Sequence, residues 1–240
     1  MRNLTFLLTI FLFAGIASAQ RGKHRSKPLT EGPYANIGVV SGPEFASFID
    51  YVNNYYGERY LNTSDKMDKF DKAPTMSLGY IWRFYPNFAL DVGFTIYSLK
   101  TRGEIINNNP SYMEYGIRHD LEYQVGVFSA TIPVIFDFSP RQPVVPYVGI
   151  GISIFAMRLD DIKDNGFIVS GSRDTGTAVG GHFETGLYVK VSQKIWIDLK
   201  GKWHNGSGSL RAQEPDIQFD KFTIDQDLAQ FSAGVVYYFR

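Results

Sequence analysis

Cysteine is absent from the 240 residues. That excludes a disulfide scaffold, a thiolate metal site and a lipid anchor attached through a thiol. An excess of one charge is absent too: 24 Lys+Arg face 24 Asp+Glu. The electrostatic footprint of a nucleic-acid binder is therefore missing, and no nucleic-acid partner is expected. Long apolar runs are also lacking. The longest spans residues 4–16, short of the roughly 20 residues a membrane-spanning helix needs. With the helical route closed, a chain that crosses a bilayer must do so as a closed barrel, because nothing else satisfies its backbone polar groups in lipid. Aromatics are plentiful, with 15 Tyr and 19 Phe, which argues against global disorder.

Arg2, the apolar run to Ile16 and the small residues Ala17-Ser18-Ala19 have the order of a secretory signal peptide, with cleavage expected after Ala19. The expected organisation is a signal peptide over 1–19, a basic periplasmic tail over 20–33 and one barrel domain over 34–240.

The rest of the chain alternates with period two, the signature of half-buried strands. Ile37 and Val39 oppose Asn36 and Gly38. Met76, Leu78, Tyr80, Trp82 and Phe84 oppose Ser77, Gly79 and Arg83. Leu90, Val92, Phe94 and Ile96 oppose Asp91, Gly93 and Thr95. Similar alternation follows at 145–159, 178–191, 195–204 and 230–240. Over 121–138 the apolar parity switches from odd (Tyr123, Val125, Val127) to even (Phe128, Ile132, Val134), which predicts a β-bulge near Phe128–Ala130. The total is eight strands. Short connections at 85–87, 139–143 and 192–194 alternate with long ones at 42–73, 101–120, 160–175 and 205–229. Short turns at one end and long loops at the other give an all-β, eight-stranded, antiparallel up-and-down transmembrane barrel.

Bulk decides which face points in. The polar face holds Gly38, Gly79, Gly93, Gly149, Gly151, Gly186 and Gly234 beside long charged residues. An eight-stranded barrel has an interior just wide enough for side chains, and this mixture fills it; a water-facing surface gains nothing from so many glycines. The apolar face then meets lipid. Tyr80, Trp82, Phe84, Trp203, Tyr237 and Phe239 stand near strand ends, as an interfacial aromatic girdle does.

The signal peptide, the Pro146-Tyr147-Val148-Gly149-Ile150-Gly151 segment after a short turn and the aromatic end Val235–Phe239 resemble the small outer-membrane β-barrel family, with its OmpA-like, OmpX-like and OmpW-like members and the porin-family barrels of Bacteroidetes-type bacteria. The resemblance implies the Gram-negative outer membrane as location, with outer-membrane lipid, lipopolysaccharide and the insertion machinery as surroundings. It implies no cofactor and no single activity, because this fold hosts many roles.

Three features carry candidate chemistry. Pairing Val191 with Ile195 across a tight turn sets Glu184 opposite Lys202, His182 opposite His204 and Tyr188 opposite Asp198. Together with Arg83, Asp91, Glu122, Lys190 and Lys200 these residues are expected to form an ionic network that closes the lumen, the alternative being a narrow solute pathway. Two histidines without a third ligand do not make a metal site. Trp203-His204-Asn205-Gly206-Ser207 resembles the His-x-Ser-Asn run of outer-membrane lipid A deacylases, at one residue longer spacing. That resemblance implies a lipid-modifying enzyme, the second alternative to a structural or interaction barrel without catalytic residues. Finally, Ser41-Gly42-Pro43-Glu44 reads as a capping box before Phe45, Phe48, Ile49, Val52 and Tyr56 at helical spacing. This predicts a short amphipathic helix in the first long loop, capping the barrel mouth or docking a protein partner.

Overall fold

The computed structural model describes residues 31–42, 49–50, 53–54, 67–68, 72–106, 116–137, 142–164, 169–210 and 222–239. Its strands are β1 (Glu31–Ser41), β2 (Lys72–Tyr85), β3 (Phe88–Ile106), β4 (Gly116–Ile135), β5 (Val144–Asp164), β6 (Val169–Lys190), β7 (Ile195–Leu210), β8 (Phe222–Asp225) and β9 (Leu228–Tyr237). Every neighbouring pair is antiparallel, and the sheet closes through β6–β7 and β1–β9. Segments β8 and β9 face β7 in one continuous register on either side of Gln226–Asp227, so they form a single barrel strand. The barrel therefore has eight staves.

The sequence periodicity dictates which side chains turn in. Ile37 is 72% exposed and Ile152 61%, while Asn36, Ser77, Asp91, Ser153, Glu184 and Asp198 are buried. The apolar face is thus the outer one. On β3 the outward positions Phe88, Leu90, Val92, Phe94 and Ile96 are followed by Ser98 and Lys100; on β4 the partners are Val134, Ile132, Ala130, Phe128 and Gly126, followed by Gln124 and Glu122. Five alternate positions at roughly 6.7 Å along strands tilted by about 40° make a belt about 25 Å tall, the height of a barrel's hydrocarbon-facing band.

The structure departs from the sequence reading at three places. The bulge near Phe128–Ala130 is not formed: β4 keeps one unbroken register with β3 from Ile106↔Gly116 to Phe88↔Val134, and another with β5. Leu121, Tyr123, Val125 and Val127 instead point into the lumen and are buried, so both faces of β4 are apolar. Residues 101–106, 116–120, 160–164 and 169–175, expected in loops, are strand, because β3, β4, β5 and β6 run well past the belt. Strand β1 starts at Glu31, inside the expected tail. Of the first-loop helix, residues 49–50 and 53–54 are helical, and Phe45, Phe48, Val52 and Tyr56 lie outside the described residues.

Candidate functional site

From the short turns upward the lumen is filled in layers. The lowest holds Ile81, Ile135, Val145, Tyr188, Trp196 and Tyr238, all buried. At its rim Asp137 receives Lys190 at 3.0 Å and Arg83 at 3.4 Å. Lys190 also lies 5.0 Å from the centre of the Trp196 ring, a cation–π position.

Above lies a compact group of buried charges. Lys200 Nζ is 2.8 Å from Asp91, 3.7 Å from Asp198 and 3.8 Å from Glu184. Lys202 Nζ is 3.2 Å from Glu184 and donates to Ser129 Oγ at 3.3 Å. Three carboxylates thus enclose two ammonium groups, and neutral donors complete two of the three, Asp91 and Asp198. The Tyr34 hydroxyl donates to Asp91 at 2.7 Å and the Tyr147 hydroxyl to Asp198 at 2.7 Å; Asn36 Nδ2 donates to Asp198 at 3.1 Å. Ions taken this far from water persist only when paired and hydrogen-bonded.

The lumen glycines make room for these rings. A Cβ at Gly79 would stand 2.3 Å from Tyr34 Cζ, and one at Gly93 2.2 Å from the Tyr34 hydroxyl oxygen. Only bare backbone lets that ring lie across β2 and β3 to reach Asp91.

The next layer is neutral. Ser153 Oγ bridges His182 Nδ1 at 2.8 Å and His204 Nδ1 at 3.0 Å, and Thr131 Oγ1 meets His182 Nε2 at 2.7 Å. The uppermost layer is apolar: Tyr97, Leu121, Tyr123, Val127, Phe155 and Met157 pack with Ile49 and Met67 of the first long connection. Gln226 Nε2 donates to the Tyr123 hydroxyl at 3.0 Å within it. Asn53 clasps the Met67 backbone through both its amide atoms, at 3.1 and 3.0 Å, and Thr101 Oγ1 donates to Asp68 O at 2.8 Å. Ile49 is fully buried, so this part of the connection caps the mouth.

The cross-strand pairs Glu184↔Lys202, His182↔His204 and Tyr188↔Asp198 occur in the anticipated register. Arg83, Asp91, His182, Glu184, Lys190, Asp198, Lys200, Lys202 and His204 all face inward, but they form three separate groups. Glu122 does not join them. It follows Leu121 and precedes Tyr123, both lumenal, and so turns out to meet Lys100 Nζ at 2.9 Å. Tyr34, Asn36, Tyr147, Ser153 and Asp137 also belong to these groups, although charge patterning does not single them out; Tyr34, Asn36 and Tyr147 share strand parity with the lumenal glycines. Ser207 is exposed on the outer face and His204 buried inside, so the deacylase-like pair does not assemble. Tyr80, Trp82, Trp203, Tyr237 and Phe239 are exposed on the outer wall and Phe84 is half-buried there. Tyr237 and Phe239 meet edge-on at 5.4 Å, and Trp203 meets Phe231 edge-on at 5.9 Å.

Past the belt, the upper halves of β3–β6 form a four-stranded sheet with a charged outer face. Lys100, Glu122, Asp160 and Arg173 stand in one directly opposed row. Asp160 accepts from Arg158 at 2.6 Å and Arg173 at 2.7 Å, and Asp120 is gripped by Arg102. The Arg102 bond holds the Asp120 carboxyl below its usual range. Burial alone would raise the Asp160 carboxyl, but hydrogen bonds from Arg158 and Arg173 override it and hold that group low as well.

No protein-family model matches the sequence, and no curated protein matches it. Solved structures do. Outer membrane protein OprG of Pseudomonas aeruginosa superposes with a TM-score of 0.50 at 11% identity, over 87% of this chain and 96% of that one. The fold is that of the small outer-membrane β-barrels. Neisserial surface protein A, at 15% identity over 89% of this chain and all of its own, gives a TM-score of 0.46. Outer membrane protein AlkL, at 14% identity over 92% of this chain and 97% of its own, gives 0.44.

Proposed function

We propose that the chain is an outer-membrane barrel that acts through the surface it projects and not through its lumen. The observation that carries this reading is the contrast between the two. The lumen is closed by packed side chains at both ends and by interlocked ions in the middle, which leaves it a structural plug. Meanwhile β3–β6 continue beyond the belt as a sheet. Its outer face carries the row Lys100, Glu122, Asp160 and Arg173 and the Arg102–Asp120 pair, charges of both signs that a protein partner can match. The belt sits in the hydrocarbon, the outward aromatics at its borders, and the projecting sheet on the extracellular side.

The test pairs two measurements. One is planar-bilayer conductance of the purified protein. The other compares vesicles carrying the native barrel with vesicles whose β3–β4 and β5–β6 hairpins are cut back to the belt, for binding of surface and matrix proteins. The reading expects silent bilayers and binding lost with the hairpins. Steady conductance steps abolished by substituting Lys200 and Asp91 would overturn it in favour of transport.

A further inference from the structure

The wall is indented one position below the projecting charges. On β4 and β5 the outward side chains run Phe128 then Gly126, and Ile154 then Ala156, toward the charged sheet. Side-chain volume drops from a ring and a branched chain to a hydrogen and a methyl. The groove left there is bordered by Met76, Phe94 and Ile96, floored by Gly126 and Ala156, and overhung by Arg158. A Cβ at Gly126 would meet the Phe94 ring at 3.1 Å, so the tip of that ring overlies Gly126 and the open part of the slot runs over Ala156.

Charge at the top of the slot is unbalanced. Arg158 lines the slot and Arg173 stands in the row above it; both reach the one carboxylate of Asp160, while the neighbouring Glu122 is matched by Lys100, so one positive charge is left over. Guanidinium forks bind phosphate oxygens in pairs. At the headgroup level, beside an apolar slot one chain wide, that charge is complementary to a lipid phosphate.

We propose that this groove binds a phosphorylated lipid of the surrounding leaflet, one acyl chain lying over Ala156 against the Phe94 ring and the phosphate held by Arg158 and Arg173. The site rests on the reading of the belt as membrane-embedded. It is tested on the full mature chain in uncharged detergent, with native mass spectrometry counting bound short-chain phosphatidic acid against phosphatidylcholine of the same chains. The native barrel retains the phosphatidic acid at least 10-fold better. The double variant R158Q/R173Q loses the preference, and A156W, which fills the slot, loses the bound lipid. All three substitutions lie on the outer wall, and an unchanged unfolding midpoint shows that the barrel is intact. Equal retention of both lipids by the native protein, or native-like binding by either variant, overturns the proposal. Quenching of the outward Trp82 and Trp203 by brominated lipid, measured on the same protein in vesicles, separates failure of this site from failure of the membrane reading: quenching without phosphate preference refutes the site alone.

Discussion

Replacing Lys200 with Met probes the lumen where its energetics are most exposed to error. The Lys200 side chain is 5% exposed and that of Asp91 2%, with 2.8 Å between them. At an effective dielectric constant of about 20 this one contact is worth about 6 kcal/mol before desolvation is counted. Met keeps most of the volume and removes the charge, leaving Asp91, Glu184 and Asp198 with Lys202 as the one cation in contact with the group. Breaking a buried pair from one side typically costs about 3–5 kcal/mol. With a urea dependence of about 2 kcal/mol per molar, the unfolding midpoint in lipid vesicles, followed by tryptophan fluorescence, falls by roughly 2 M. Adding Asp91→Asn to Lys200→Met returns at least about 1 kcal/mol, since the pair is then removed from both sides. A cost below about 1 kcal/mol for Lys200→Met, or no recovery in the double variant, would mean that water reaches these charges and that the plug does not exist.

Other consequences are tested more simply. Gly79→Ala forces the Tyr34 ring off Asp91 and costs about 1–3 kcal/mol, the penalty for an unsatisfied buried acceptor; in Tyr34→Ala the same glycine substitution becomes nearly silent. Asp120 and Asp160 have depressed carboxyl values in the folded sheet. Their contribution is therefore complete above the unfolded value near 3.8 and is lost as pH falls through the folded values. Hydrogen exchange in the upper halves of β3–β6 rises below about pH 4 while the belt stays protected; uniform exchange across both would refute the local role of these pairs.

Where one face is polar and the other apolar, the sequence is legible. Ile195 to His204 and Phe183 to Lys190 alternate cleanly, so a tight turn at 192–194 was enough to set Glu184 against Lys202. Where the lumen itself turns apolar, alternation fails. Leu121, Tyr123, Val125 and Val127 face inward under the cap made by Ile49 and Met67, and the sequence cannot show that cap, because it is a contact across some seventy residues. The same ambiguity put Glu122 in the wrong place. The projecting strands look like loops in the sequence because their outer face carries Lys100, Arg102, Asp120 and Arg173, residues equally common in solvated connections; only pairing distinguishes them. Tyr34 and Tyr147 entered the ionic group unannounced, since an aromatic on the polar face counts as noise until the glycines opposite it are seen to admit a ring.

The chain carries three tryptophans, and they test the orientation of the whole barrel. Trp82 and Trp203 are 44% and 41% exposed on the outer wall, whereas Trp196 is 7% exposed inside. In vesicles with brominated acyl chains, a variant keeping only Trp82 or only Trp203 is expected to be strongly quenched, and one keeping only Trp196 to stay bright. Quenching of Trp196 with protection of the other two would show that the apolar face points in, and would contradict the account.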